Sequence, residues 1–315
     1  MSTPHTLTKN TLTTTPVSRV GVYVQDLVSL LPKLKALVGV RYSYQQTGSN
    51  VLTHATNKTA SVVNFDGAFS PRLGLVFQPT KNHSAFASYA NSFVLNTGVD
   101  VGGNPLAPSL IDQYEVGVKN NLLRGRLSAN LTAYRILNSN LAQISLENGN
   151  TNTNIKELTG AAQSSGIELD LEARPFSNLS VRSGYSYNET KYTESNTFVV
   201  GSFLKYNPNH TANMSVFYTF EKQLSGLQVG VLGSYFGTRY AGRSTRIQVA
   251  NDAYRLVELP AFTQIDASAA YTFKQFTVRA KLGNIFNVLS YNVHDDNSVN
   301  PIAPRNYQLN LCYKF

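Results

Sequence analysis

The sequence predicts an all-β chain, an antiparallel transmembrane β-barrel wall of about thirteen strands. Three observations predict it. Charged residues are 14% of 315, well below the usual quarter, while hydrophobic residues reach only 42% and mean hydropathy is slightly negative. Apolar residues alternate with polar ones through most of the chain, which is the period of a strand with two different faces. Short turns alternate with long polar loops, the pattern of an outer-membrane barrel. Tyr (18) and Phe (16) are abundant, as aromatic girdles require, although Trp is absent. No run approaches the ~18 apolar residues of a membrane helix.

Residues 1–16 are Thr-rich and polar, and read as a loop remnant ahead of a barrel portion at 17–315. Val20, Val22 and Val24 then alternate with polar neighbours. After a turn at Leu31-Pro32-Lys33, Ala36, Val38, Val40, Tyr42 and Tyr44 share one face, opposite Lys35, Arg41, Ser43 and Gln45. A polar stretch, Thr47–Ser70, reads as a long loop. Leu73, Leu75 and Phe77 descend to a turn near Lys81, and Ala85, Ala87 and Tyr89 return. Tyr114, Val116 and Val118 precede the turn at Leu123-Arg124-Gly125, and Leu127, Ala129, Leu131 and Ala133 follow it. Ile167, Leu169 and Leu171 alternate with Glu168, Asp170 and Glu172. The next turn, Pro175–Asn178, leads to Leu179, Val181, Tyr185 and Tyr187.

Met214, Val216 and Tyr218 descend to Lys222–Ser225, and Leu227, Val229, Val231 and Tyr235 rise from it. Ile265, Ala267, Ala269, Tyr271 and Phe273 descend to a two-residue turn, and Phe276, Val278, Ala280 and Leu282 rise. The last strand sets Tyr307, Leu309, Leu311, Tyr313 and Phe315 against Gln308, Asn310, Cys312 and Lys314. Exposed to water, that apolar face would invite aggregation; against lipid, with the other face on a wet lumen, it is in place. The short turns recur roughly every 43 to 53 residues, a period that propeller blades share. A blade needs four short strands per period, whereas here each period holds two long ones.

The formal charge is +9. With no dense Lys/Arg run and no recognition-helix pattern, the chain is not expected to bind nucleic acid. Basic residues spread over a lumen and loops attract anionic solutes instead. Cys312 is the only cysteine, so the chain can form no internal disulfide. Met1-Ser2-Thr3-Pro4-His5 has no basic start, apolar core or cleavage site, and is not read as a signal peptide. Neither a Gly-x-Ser-x-Gly elbow nor a phosphate loop is present, and no enzymatic activity or cofactor is expected.

A series of phrases carries a family resemblance: Gly21-Val22-Tyr23-Val24-Gln25-Asp26, Val38-Gly39-Val40-Arg41-Tyr42, Ser70-Pro71-Arg72-Leu73-Gly74 and Ala87-Ser88-Tyr89-Ala90-Asn91-Ser92-Phe93. Gln113–Lys119, Ser165–Leu169, Asn207–Asn213 and Gly283–Asn287 continue it. In this order and spacing they resemble TonB-dependent receptors of the ferric-siderophore type. The resemblance implies a barrel of about 22 strands filled by an amino-terminal plug, of which this chain would be the carboxy-terminal part, without plug, TonB box or early strands. It implies location in the outer membrane and active transport of an Fe(III)-siderophore. The implied partners are that ferric siderophore, outer-membrane lipid and the assembly machinery, which would read Phe315 as its signal. The TonB complex would be reached only through the missing plug. A passive porin-like barrel or a non-functional fragment are the alternatives.

Among local candidates for substrate contact, the loop with Arg239, Tyr240, Arg243, Arg246, Tyr254 and Arg255 stands out. Arg pairs bidentately with carboxylate or hydroxamate oxygens, and Tyr offers rigid contact surface. An anionic iron chelate would suit it. His294-Asp295-Asp296 reads as a calcium-trimmed loop or a plain polar turn rather than a built metal site, since adjacent side chains of an extended chain diverge. Glu168, Asp170 and Glu172 are expected to line the lumen and pair with Arg174 and with bases on neighbouring strands. Asn284-Ile285-Phe286-Asn287 is expected to be structural, at the upper end of the penultimate strand.

Overall fold

In a computed structural model, residues 10–242, 256–294 and 298–315 are described. Eighteen strands follow one another: β1 (Thr11–Thr14), β2 (Val17–Leu31), β3 (Leu34–Thr53), β4 (Lys58–Thr80), β5 (His83–Val94), β6 (Ser109–Leu122), β7 (Leu127–Ile144), β8 (Lys156–Phe176), β9 (Leu179–Glu194), β10 (His210–Thr219), β11 (Leu227–Phe236), β12 (Arg239–Gly242), β13 (Leu256–Leu259), β14 (Phe262–Phe273), β15 (Phe276–Gly283), β16 (Tyr291–Val293), β17 (Val299–Pro301) and β18 (Asn306–Tyr313). Fourteen of them form one antiparallel meander. The hairpins β12–β13 and β16–β17 stand outside it.

β1 and β2 both pair with β3, at Thr11↔Thr53 and Val17↔Thr47 respectively. They are one edge strand interrupted at Thr15-Pro16, because proline has no N–H to give the ladder. The Pro16 carbonyl still accepts from Gly48 N–H at 2.8 Å. A Cβ at residue 48 would lie 2.9 Å from Pro16 Cγ, so glycine makes room for the ring. Counting that split strand once gives thirteen, as the sequence predicts, and the short turns fall where expected. Thr11–Thr14, expected as loop, is part of the wall.

The register fixes two faces. Val38 and Tyr42 on β3 stand level with Leu73 and Phe69 on β4, and Arg41 with Ser70. Tyr114, Val116 and Val118 oppose Arg135, Ala133 and Leu131, whereas Glu115 opposes Tyr134. On β18, Tyr307, Leu309 and Leu311 oppose Leu282, Ala280 and Val278, and Asn310 opposes Arg279. One face of the wall is therefore apolar and the other polar. The apolar face is bare: Val22 is 69% exposed, Phe69 68% and Leu309 77%. Buried hydrophobic residues among those described are only Leu106, Ala162, Ala241, Leu259 and Ile302. So large a continuous apolar surface is a surface for lipid.

Aromatic pairs bracket it. Tyr42–Phe69, Tyr44–Phe65 and Tyr89–Tyr114 lie toward the long loops, and Phe276–Tyr313 lies at the short turns. From Phe69 down to Phe77 the strand covers about 26 Å, which after tilting accounts for most of an apolar band ~25 Å tall.

On the polar face, large rings lie over glycines. A Cβ at Gly166 would meet Tyr134 Oη at 2.6 Å, and one at Gly230 would meet the Phe217 ring at 2.4 Å. This stacking packs a gap in the wall and lets it curve.

One expectation fails. Thr47–Ser70 is not a loop, because β3 and β4 stay paired from Gly48↔Val63 to Thr53↔Lys58. This hairpin rises above the apolar band, where neither face needs to be greasy. The hydropathy alternation fades there while the backbone ladder continues. β2 and β18 have no outer neighbour among the described residues, and the wall is not closed.

The two faces make opposite predictions for neighbouring residues. Leu131→Arg, on the apolar face, is expected to cost about 2–4 kcal/mol of folding free energy in vesicles. Thr132→Arg, on the polar face, should cost under about 1 kcal/mol. Folded fractions from urea titrations in phosphatidylcholine vesicles measure both, and equal costs would overturn the face assignment.

Candidate functional site

On the polar face, β2 to β6 and the overhanging loop after β5 line an open cavity of ≈ 1220 Å³. Its wall carries three guanidinium groups, Arg19, Arg41 and Arg72, with the amides of Gln45, Asn64 and Gln113 and a single carboxylate, Asp66. Strand parity puts them there: Arg19 is level with Gln45, Arg41 with Ser70, and Arg72 with Gly39. Arg19 Nε donates to Gln45 Oε1 at 2.6 Å and Arg41 Nε to Ser43 Oγ at 2.8 Å. These are neutral acceptors, so the positive charge is not cancelled by them. A wet, concave wall with three guanidiniums and one carboxylate attracts anions and can hold oxyanions bidentately.

The roof of the cavity is built by the chain between β5 and β6. Asn96 Nδ2 donates to the carbonyls of Ala107 (2.7 Å) and Asn140 (3.0 Å). Buried Ser109 donates to the Asn140 carbonyl at 2.8 Å. Farther out, the Asp100 carboxylate accepts from the Asn104 amide N–H at 2.8 Å. That bond holds the Asp100 carboxyl below the usual carboxylate range. A lowered pKa means the turn keeps its tie at neutral pH and loses it only as pH falls through the lowered value.

Neighbouring loops are tied in series. Lys156 N–H donates to the Val99 carbonyl at 2.8 Å, joining the β5–β6 and β7–β8 loops. Gln143, buried at the top of β7, accepts from Ser195 Oγ and Asn196 N–H at 3.0 Å each, which brings in the loop after β9. Asn196 Nδ2 also reaches Ile144 O (3.1 Å) and Glu157. Tyr206 N–H donates to Tyr240 O at 2.9 Å, which ties that loop to β12.

Arg239, the first residue of the expected contact loop, is 4% exposed. It donates to Pro260 O (3.1 Å), Ser290 Oγ (3.4 Å) and Tyr291 O, and its guanidinium lies 5.0 Å from the Phe262 ring centroid. Here it fastens β12 to the start of β14 and to β16. Tyr240 stacks on Phe203, centroids 5.7 Å apart. Arg243, Arg246, Tyr254 and Arg255 lie outside the described residues, as do Asp295 and Asp296.

Asn284 is fully buried above β15. Its backbone N–H donates to Asp266 Oδ1 (2.8 Å), and its side chain bonds Val288 and Ala303. Glu168, Asp170 and Glu172 line the polar face. Glu172 lies 3.6 Å from Arg174 and 3.4 Å from Arg182 on the next strand. Phe315 is exposed and packs edge-on against Tyr313.

A family model described as TonB dependent receptor-like, beta-barrel, matches residues 3–287. The chain belongs to that family. Its members are outer-membrane proteins. The metal-pseudopaline receptor CntO of Pseudomonas aeruginosa is 28% identical over 304 residues, covering 95% of this chain and 41% of that one. The ferric-pyoverdine 358 receptor of Pseudomonas putida is 26% identical over 310 residues, covering 94% and 35%.

Among solved structures, the siderophore receptor PiuA from Acinetobacter baumannii superposes with a TM-score of 0.77 at 19% identity, covering 96% of this chain and 44% of that one. The pyoverdine receptor FpvA from Pseudomonas aeruginosa PAO1, bound to pyoverdine, gives 0.77 at 20% identity, covering 96% and 42%. These likenesses carry the fold. The chain spans less than half the length of each of these relatives.

The cavity arginines are lumen-facing partners of apolar neighbours, and their parity is readable in the sequence. Their convergence is not, because it depends on the cross-strand register and on the roof. Gln143→Ala removes the acceptor that joins two loops. Hydrogen exchange at the Asn196 amide should then speed up by about ten- to a hundredfold, with β10 and β11 amides unchanged. Unchanged exchange at Asn196 would show that the loops are held by something else.

Proposed function

We propose that this chain is a wall section of an outer-membrane receptor for a metal–siderophore complex, moved by TonB-driven transport without bond chemistry. The observation that carries the reading is the family membership joined to an arginine-lined cavity on the lumen face. Relatives named as ferric-pyoverdine and metal-pseudopaline receptors support a ferric siderophore as the ligand. Three guanidiniums against one carboxylate favour a complex that presents anionic oxygens. The siderophore and its iron are cargo, and no resident cofactor is invoked.

The wall needs further strands for this role. With thirteen strands, the two edges run in the same direction, so they cannot meet each other as an antiparallel pair. Closure in the antiparallel pattern takes an odd number of added strands. The reading places this chain beside such a complement in the working receptor, together with the plug that TonB would engage.

The test is uptake of iron-55 by cells producing the receptor that contains this wall. Arg19→Gln with Arg41→Gln is expected to weaken binding of an anionic ferric complex at least tenfold and leave a neutral hydroxamate complex within about twofold. Uptake should cease when the proton gradient is collapsed. Uptake that persists without the gradient would sink the transport reading and favour a passive pore, whereas equal loss for both complexes would sink only the ligand charge.

A further inference from the structure

The short-turn rim has a charge pattern that the transport reading does not use. Five of the six short turns carry a cation, Lys33, Lys81, Arg124, Lys222 and Lys274, and Arg174 stands in β8 just before the sixth, Ser177-Asn178. All six are exposed, and Lys314 joins them at the foot of β18. Their acidic company is Glu221 and Glu172, and the Glu172 carboxylate is already shared between Arg174 and Arg182. The opposite end differs. There Lys156 and Lys191 stand among Glu147, Glu157, Glu189 and Glu194, with Lys191 and Glu189 2.8 Å apart. The described loop end also holds Lys58, Lys205, Arg239 and Arg305, set against Asp100 and Glu258, so among the described residues its cations and carboxylates nearly balance, whereas at the short-turn rim the cations outnumber the carboxylates.

Two further observations give the rim a direction. Arg124, Lys222 and Lys274 have φ of 59°, 57° and 52°. Glycine or asparagine would hold that left-handed conformation at lower cost, so three turns carry a cation where a cheaper residue fits. Immediately above the cations, on the lipid face, stand Phe176, Phe273, Phe276 and Tyr313, all exposed. Lys274 Nζ lies 5.4 Å from the Phe273 ring centroid. A ring at the edge of the hydrocarbon with an ammonium just beyond it places the charge among headgroups.

We propose that the short-turn rim binds the anionic phospholipid headgroups of the leaflet it meets, and so selects phosphatidylglycerol-type lipid over zwitterionic lipid at the base of the wall. The occupant is the membrane surface itself, recognised by phosphate and net negative charge along an arc of spaced cations. Each cation near an anionic surface adds to the attraction, and salt within a Debye length weakens it. The inference needs only the membrane-wall reading and stands apart from ligand uptake.

The test is lipid selectivity by electron spin resonance. The receptor that contains this wall is reconstituted in phosphatidylcholine bilayers with a trace of spin-labelled phosphatidylglycerol or spin-labelled phosphatidylcholine. The ratio of their association constants, from the motionally restricted fraction, should exceed about threefold in 20 mM salt and fall toward one in 0.5 M NaCl. Lys33→Gln, Lys81→Gln, Lys222→Gln and Lys274→Gln together should bring the low-salt ratio near one. Lys58→Gln, Lys191→Gln, Lys205→Gln and Arg305→Gln, removing the same charge from the loop end, should leave it within about a quarter of the original.

A ratio near one in the unaltered chain would overturn the proposal, as would equal loss in the two variants, which reports bulk charge only. Inorganic phosphate that competes more strongly than chloride at matched ionic strength would show a discrete anion site instead of a headgroup surface. If neither label shows restricted lipid, the membrane-wall reading itself fails.

Discussion

Backbone hydrogen bonding in a medium without water is the constraint on which the rest of this structure depends. In hydrocarbon each unpaired N–H or C=O costs several kcal/mol, and strands satisfy theirs only through lateral neighbours. The uninterrupted ladder from β3 to β18 follows from that, and so does the two-residue alternation it imposes. Once the backbone is paired sideways, side chains have only two directions left. Val, Leu, Tyr and Phe take the outward one, while Arg, Glu, Asn and Gln take the inward one. The same constraint explains why the few breaks occur at the margin. Pro16 interrupts an edge strand beyond the apolar band, and the small hairpins β12–β13 and β16–β17 stand off the main sheet.

Much of this was legible in the sequence. Alternation such as Tyr307, Leu309, Leu311 against Gln308, Asn310, Cys312 needs no tertiary information, because each strand meets lipid on one side all along its span. The short turns were legible for a related reason: at that end, strands stop where the apolar alternation stops. At the other end they do not. β3 and β4 keep their ladder through Ser49, Asn50, Ser61 and Val62, where both faces are wet and hydropathy carries no period. That is why a tall hairpin read as a loop.

The candidate site was harder to read, and again the reason is physical. An arginine-rich loop signals anion binding only if its side chains are free. Arg239 is enclosed, and the carbonyls of Pro260 and Tyr291 and the ring of Phe262 occupy it. Nothing local to Arg239-Tyr240-Ala241-Gly242 reveals those partners, which come from two later segments. Arg19, Arg41 and Arg72 stand far apart in the sequence, each among ordinary polar neighbours. Their meaning comes from neighbouring strands that place them around one space under the β5–β6 loop. Parity was in the sequence, and convergence was in the register.

From Val99 through Lys156, Gln143 and Asn196 to Tyr206 and Tyr240, each loop is fastened to the next, and Arg239 carries the fastening to Tyr291. Such a series acts as a belt along this stretch of the rim. A local push on one loop is resisted by its neighbours as tension along the belt, so the tied loops move together or hardly at all. The stiffness of this stretch is then a collective property, set by its weakest tie.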